Sequence, residues 1–364
     1  MKISKIINYL EQKAPLSLQE SYDNSGLIVG NRNAEVTKAL ITVDATEAVV
    51  DEAISVGANL IIAHHPIVFS GLKRLNGSNY VERTVIKAIK NDIAIYAIHT
   101  NFDNIIDGTN RHLAILLGMK NLKVLQPLKN QLLKLVVFCP VAYAGKLRES
   151  IFSAGAGVIG KYDECSFNTT GEGSFRAGDE ANPFVGEKGE SHFEQEVRIE
   201  TILPRHLKGQ VLAAMHAAHP YEEVAFDIYN LENKTNYYGA GVIGELKEEM
   251  DTGDFLKTVK QKTGAQCIRH TDFIKSKVKK VALCGGSGAF LIRQAISQKA
   301  DVYITGDVKY HEFFDADKKI VIADIGHYES EQFTKEILYE LVKEKFPTFA
   351  VQKSGMVTNP VNYL

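Results

Sequence analysis

Apolar positions along the chain follow two different periods, and the switches between them outline the elements. Ile3, Ile6, Ile7 and Leu10 recur at helical spacing, whereas residues 39–43 and 59–63 form short, mostly apolar runs of strand length. Between those runs Thr46 stands where it can cap a helix carrying Val49, Val50, Ala53 and Ile54. A polar helical stretch over 79–91, a third apolar run over 93–98 and a helix with His112, Leu113, Leu116 and Leu117 follow. Continuous apolar strands alternating with helices predict a largely parallel sheet covered on both faces. The same grammar returns after about residue 235: a strand over 278–284, a turn over Gly285, Gly286, Ser287 and Gly288, a helix to Lys299, strands over 301–305 and 320–323, and a final long helix.

The middle of the chain reads differently. A strand over 132–138, a helix near 143–154, a Gly-rich polar run, a strand over 196–203, a helix with Met215 and a strand over 224–229 give the order βαββαβ, the ferredoxin-like arrangement. The expected fold is therefore a split three-layer α/β domain with a mostly parallel sheet, residues 1–127 and 233–364, interrupted by an inserted ferredoxin-like α+β domain over 128–232. Residues 169–191 are expected to be a loop, because the run is polar and rich in Gly.

Composition narrows the class of partner. The chain has 364 residues, enough for two or three folding units, and 45% hydrophobic with 24% charged residues rules out disorder and coiled coil. A formal net charge of −2 argues against nucleic acid or an anionic membrane as the default partner. The four cysteines, Cys139, Cys165, Cys267 and Cys284, form no CxxC pair, which argues against thiolate metal sites and a secreted disulfide scaffold. No uninterrupted apolar window approaches 18 residues and the first residues lack a signal-peptide core, so a cytoplasmic chain is expected.

Candidate chemistry gathers where apolar runs end, the place where open parallel sheets bind ligands. His64 and His65 close the second run and precede Pro66; since neighbours on a strand point to opposite faces, the pair is expected to reach one centre only once the strand has ended. His99 and Asp103 follow the third run, although Asp103 alone would read as a helix cap. His327 and Glu331 lie four apart at a helix start, hence on one face, where acidic residues also suit the helix dipole. Together His64, His65, Asp103, His327 and Glu331, with His99 nearby, are too many ligands for one tetrahedral ion and suit two ions sharing a bridging carboxylate or water. Nitrogen and oxygen donors fit Zn, Fe, Mn, Co or Ni without choosing among them. Gly285, Gly286, Ser287 and Gly288 could present N–H groups to an anion, and Asp307 could hold a ligand imidazole in place. His311 is expected on a helix as a structural histidine.

The stretches 22–30 (YDNSGLIVG), 63–75 (AHHPIVFSGLKRL), 98–104 (IHTNFDN), 304–313 (ITGDVKYHEF) and 324–333 (DIGHYESEQF) resemble the Nif-three-like family, whose bacterial members carry the name GTP cyclohydrolase 1 type 2 homologue. The middle region, with HPYEEVAFDIY over 219–229, is similar to a PII-like or CutA-like insertion of the longer bacterial members. The resemblance implies two divalent metal ions per chain on His64, His65, Asp103, His327 and Glu331. It also implies a toroidal homohexamer, a trimer of dimers, with the metal sites facing an inner cavity and the insertion capping the ring. Tyr22 stands where family members commonly have Trp, which keeps an aromatic.

The activity so implied is a metal-dependent hydrolase of a nucleotide-like small molecule, in the GTP case through attack of water on C8 of guanine. His99 or Asp307 would then shuttle protons. Two rival readings stay open: a non-catalytic metal-binding or regulatory assembly whose PII-like domain contacts partner proteins, and a nucleic-acid-associated ring using Lys277, Lys279 and Lys280 or the cluster Lys257 to Lys262. Charge runs of that kind are usually solvated surface.

Overall fold

The apolar runs become strands in a computed structural model that describes residues 1–364. In chain order the strands are β1 Gly26–Val29, β2 Lys38–Asp44, β3 Leu60–His65, β4 Ala94–Ala97, β5 Met119–Pro127, β6 Leu132–Pro140, β7 Ser166–Arg176, β8 Ser191–Pro204, β9 Phe226–Leu231, β10 Gly239–Asp251, β11 Arg269–His270, β12 Lys277–Ser287, β13 Val302–Gly306, β14 Val321–Asp324 and β15 Ala350–Lys353. Two units result, one of Met1–Pro127 with Asn236–Leu364 and one of Leu128–Thr235.

The first unit holds two sheets where a single mostly parallel one was expected. One has the order β1-β4-β3-β2-β15, parallel except for β1; the other has the order β11-β14-β13-β12-β10-β5, parallel only across β12, β13 and β14. The reason lies in β10, whose outer half (Glu245, Lys247, Glu248, Glu249) is too polar to read as a buried strand. It pairs antiparallel with both β5 and β12 and so nucleates a second sheet rather than extending the first.

Why these segments fold locally is plain. Residues 60–63 are fully buried, each branched side chain contributing about 1.5–3 kcal/mol. Leu40, Ile61, Ala63 and Ile95 pack with Val49, Val50 and Ala53 of the helix Glu47–Ser55 and with Val85 and Ala88 of the helix Tyr80–Lys90. Thr46 and Asn79 cap those helices, their side chains accepting from the N–H groups of Val49 at 3.3 Å and Glu82 at 3.0 Å. The register sets Ile41 beside Ile62 and, at the strand ends, Asp44 beside His65.

Four further expectations are corrected. β3 runs through His65, so the strand does not stop before its histidines. The glycine turn is mostly strand: Gly285, Gly286 and Ser287 lie in β12, and a 3-10 turn, Ala289–Leu291, leads into the short helix Ile292–Ser297. The final long helix is two, His327–Glu331 and Thr334–Lys345. His311, expected on a helix in a structural role, sits exposed in the 3-10 segment Tyr310–Ala316.

The second unit has one antiparallel sheet, β7-β8-β6-β9, and the helices Ala144–Ser153 and Lys208–Ala218. Leu133, Leu135, Val137 and Ile199 of the sheet share a core with Leu147, Ile151, Val211 and Met215 of the helices. Part of the expected loop 169–191 is strand: β7 pairs with β8 from Ser166 opposite Thr201 to Arg176 opposite Ser191. Composition misled because most of this ribbon is exposed and needs no apolar face, its backbone bonds being met by the partner strand. No helix of the chain is long and apolar enough to cross a membrane.

Candidate metal centre

The carboxyl ends of β2, β3 and β4 and of β13 and β14, all within the first unit, converge on one cavity of about 1170 Å³. β2 delivers Asp44, β3 delivers His64 and His65, and the turn after β4 delivers His99 and the short helix Thr100–Asp103. From the other sheet, Asp307 follows β13, and β14 leads through Gly326, at φ 95°, into His327–Glu331. Four glycines leave little room here for a side chain, with main chain in the way only at Gly306. A Cβ at Gly286 would come within 2.3 Å of Glu331 Oε1, one at Gly306 within 2.8 Å of the His327 backbone, one at Gly326 within 2.1 Å of Glu329 Oε2, and one at Gly285 within 3.2 Å of Glu331 Cγ.

Each imidazole is fixed through Nδ1, leaving Nε2 turned inward. His64, fully buried, donates from Nδ1 to the Ile98 carbonyl at 2.9 Å. His65 Nδ1 lies 2.7 Å from Asp44 Oδ1, His327 Nδ1 2.6 Å from Asp307 Oδ2, and His99 Nδ1 2.8 Å from Asp23 Oδ1. At the centre is Glu331 Oε2, 2.9 Å from His65 Nε2, 3.0 Å from His327 Nε2 and 3.8 Å from His64 Nε2. Asp103 Oδ1 stands 3.7 Å from His64 Nε2.

Ligand atoms within 4.8 Å of one another form three groups: His65, His327 and Glu331; His64, Asp103 and Glu331; and His64, His65 and His99. Although β3 runs through both of them, the adjacent histidines reach the same centre: they share a group with His99, and both Nε2 atoms approach Glu331 Oε2. His64 Nε2 and Asp103 Oδ1 are buried without a hydrogen-bond partner, a cost of about 1–3 kcal/mol each that a cation between them would offset. All donors are N or O. Cys284 lines the cavity, where burial pushes its thiol above the ordinary range, and it belongs to none of the three groups.

The electrostatics agree with a site short of positive charge. Burial works against a charged His65, yet hydrogen bonds from Asp44 and Glu331 raise it to about 9. For His327 burial is again outweighed, by the Glu331 charge and the Asp307 bond, and the ring is raised to about 11. Burial raises Asp103, with only partial relief from His64. Burial would also raise Glu331, but the surrounding imidazoles hold it well below the usual carboxylate range. Two Nε2 atoms 3.3 Å apart on one carboxylate need a shared cation or protons.

Over residues 1–360 the chain matches the Duf34/NIF3 (NGG1p interacting factor 3) family. It belongs to that family. Among Duf34/NIF3 relatives, proteins named GTP cyclohydrolase 1 type 2 homolog are 40% identical in Halalkalibacterium halodurans, over the whole of both chains, and 41% identical in Bacillus subtilis, over 99% of this chain and 98% of the other. A solved Bacillus cereus protein related to NIF3 is 41% identical with a TM-score of 0.88, covering 100% of this chain and 99% of that one. The Staphylococcus aureus protein SA1388 has 30% identity and a TM-score of 0.78 over the same shares.

The residues nominated from the Duf34/NIF3 motifs and the strand ends, His64, His65, Asp103, His327 and Glu331, thus stand together, with His99 and Asp307 beside them. Asp307 accepts from His327 Nδ1, the orienting contact expected of it. The glycine run has another use than anion binding: the N–H groups of Gly285, Gly286 and Gly288 already donate to Asn110 Oδ1, Ser330 Oγ and Thr305 Oγ1. Asp44 and Asp23 escaped sequence reasoning. The rule that flagged His65 would have found Asp44, since it too closes an apolar run one strand away.

Proposed function

We propose that the chain binds two divalent ions, one at His65, His327 and Glu331 and the other at His64, Asp103 and Glu331, and hydrolyses a nucleotide-like small molecule, GTP being the first candidate. The observation that carries this reading is Glu331, whose one oxygen faces both histidine groups. Ions bound there supply Lewis-acid stabilisation of developing negative charge. The chain's own residues do the rest. Asp44, Asp307 and Asp23 hold protons at Nδ1 of His65, His327 and His99, which keeps each Nε2 a donor of its lone pair. His99 Nε2, outside the two Glu331 groups, is placed to take or return a proton. Tyr22, Phe69, Tyr80 and Phe290 offer flat apolar faces in a cavity large enough for a nucleotide.

The names of the relatives support GTP as the starting substrate. The test is direct: full-length protein loaded with Zn, Mn, Co, Fe or Ni, metal counted by elemental analysis, and GTP turnover followed by formate release. Two ions per chain with turnover above the metal-free protein are expected. Two ions without turnover sink the substrate, and fewer than one ion sinks the centre. The chain is further proposed to form a homohexamer with residues 128–232 as a PII-like domain, which light scattering checks by a particle six times the chain mass.

A further inference from the structure

Residues 354–364 have no regular structure, yet they are tied down one after another along the cavity. Ser354 N–H donates to the Ile41 carbonyl at 2.7 Å, extending the pairing of β15 with β2, and Gly355 N–H donates to Glu52 Oε1 at 2.8 Å. Thr358 Oγ1 donates to Asp44 Oδ2 at 2.5 Å, and Asn359 Nδ2 to Glu329 Oε1 at 3.0 Å. Thr358, Pro360, Val361 and Tyr363 then line the cavity.

The contact at Thr358 differs from the others because of what it holds. Asp44 uses Oδ1 on His65 and Oδ2 on Thr358, so the carboxylate is clamped from both oxygens. Asp23, which plays the same part for His99, is clamped by near neighbours of that ring: Ser25 Oγ and the Thr100 N–H and hydroxyl all donate to its Oδ2. Asp44 has no such local donor; its second bond comes from 314 residues away in sequence. A carboxylate that orients a metal-binding imidazole tunes affinity through its own hydrogen bonds.

We infer that Thr358 is a positioning residue for the metal centre: the chain's end is a strap whose hydroxyl holds Asp44, and through it His65, while the residues beyond it form one wall of the substrate cavity. The inference rests on the two-ion reading above. Occupation of the His65–His327–Glu331 position is thereby coupled to the Thr358–Asp44 bond, whereas the His64–Asp103 position, whose imidazole is held by a main-chain carbonyl, does not use it.

Cobalt titration of the full-length chain, followed by visible absorption and equilibrium dialysis, tests this in T358V, T358S and N359A. The expected result is two cobalt ions in the wild type, with T358V weakening one of them about tenfold and changing its spectrum while the other keeps its affinity. T358S, which retains the hydroxyl, restores both, and N359A, which loosens the strap without touching Asp44, leaves both near wild type. If T358V does not fold, T358A carries the same comparison. Equal affinities in T358V and the wild type overturn the inference, as does equal weakening by T358V and N359A, which would make the strap mere packing. A wild-type chain that takes up no cobalt overturns the two-ion reading itself, and this inference with it.

Discussion

The two units of the chain use their sheets in opposite ways. In the first, parallel strands all finish at the same side, so Asp44, His65, His99, Asp307 and His327 reach one cavity from successive strand ends, with His64 buried beside His65. In Leu128–Thr235 the strands alternate in direction, strand ends scatter to both edges of the sheet, and the unit contributes no residue to any of the three ligand groups. There His219 donates from Nε2 to the Phe138 carbonyl at 2.9 Å, and burial lowers its pKa. What gathers chemistry is parallel direction, which repeats one end of every strand in one place.

The contrast can be broken by mutation. The largest effect is expected from Glu331→Ala, which removes the carboxylate shared by two groups: both ions should be lost, with affinity falling beyond the 10–100-fold that outer partners bring. Elemental analysis decides, and one ion retained at wild-type affinity would show that Glu331 is not shared. In the other unit, Leu135→Ala should cost about 2–5 kcal/mol in urea unfolding, because a fully buried side chain leaves a cavity. Metal content should not change, and loss of metal in that variant would contradict the division of labour.

Zinc at a hundred times its Kd should stabilise the unit that binds it by about 2.7 kcal/mol, and a chelator should reverse this. Calorimetry checks it, and a shift in every transition alike would count against a centre confined to one unit. Asp307→Asn leaves the His327 ring without its anionic partner, and affinity at one position should drop about 10–100-fold. The smallest effect is expected from Thr46→Ala, about 1 kcal/mol of stability from a lost helix cap, with no change in metal stoichiometry.

Much of the centre was legible in the residues themselves. His64 and His65 follow an apolar run, and a separation of four puts His327 within 3.0 Å of Glu331 on a single helical turn. Asp44 was legible by the same strand-end rule and was passed over, but Asp23 was not, because nothing in a local window tells an acid that caps a turn from one that holds an imidazole 76 residues away. β10 was hidden by its charged outer half, and β7 by an exposed ribbon that looks like a loop. In each case the missing information is the partner strand, which no periodicity records.

Alone, the order of residues determined which segments bury themselves, where the apolar runs stop, and which histidines and acids wait at those stops. That much is local, since burial and helix spacing act over a few residues. Tertiary structure decided that there are two sheets rather than one, that both neighbouring histidines approach Glu331, and that the hydroxyl of Thr358 bonds Asp44. Those outcomes depend on strand pairing, on glycine-permitted approaches and on contacts between segments as much as 314 residues apart, and distance in space is not written in distance along the chain.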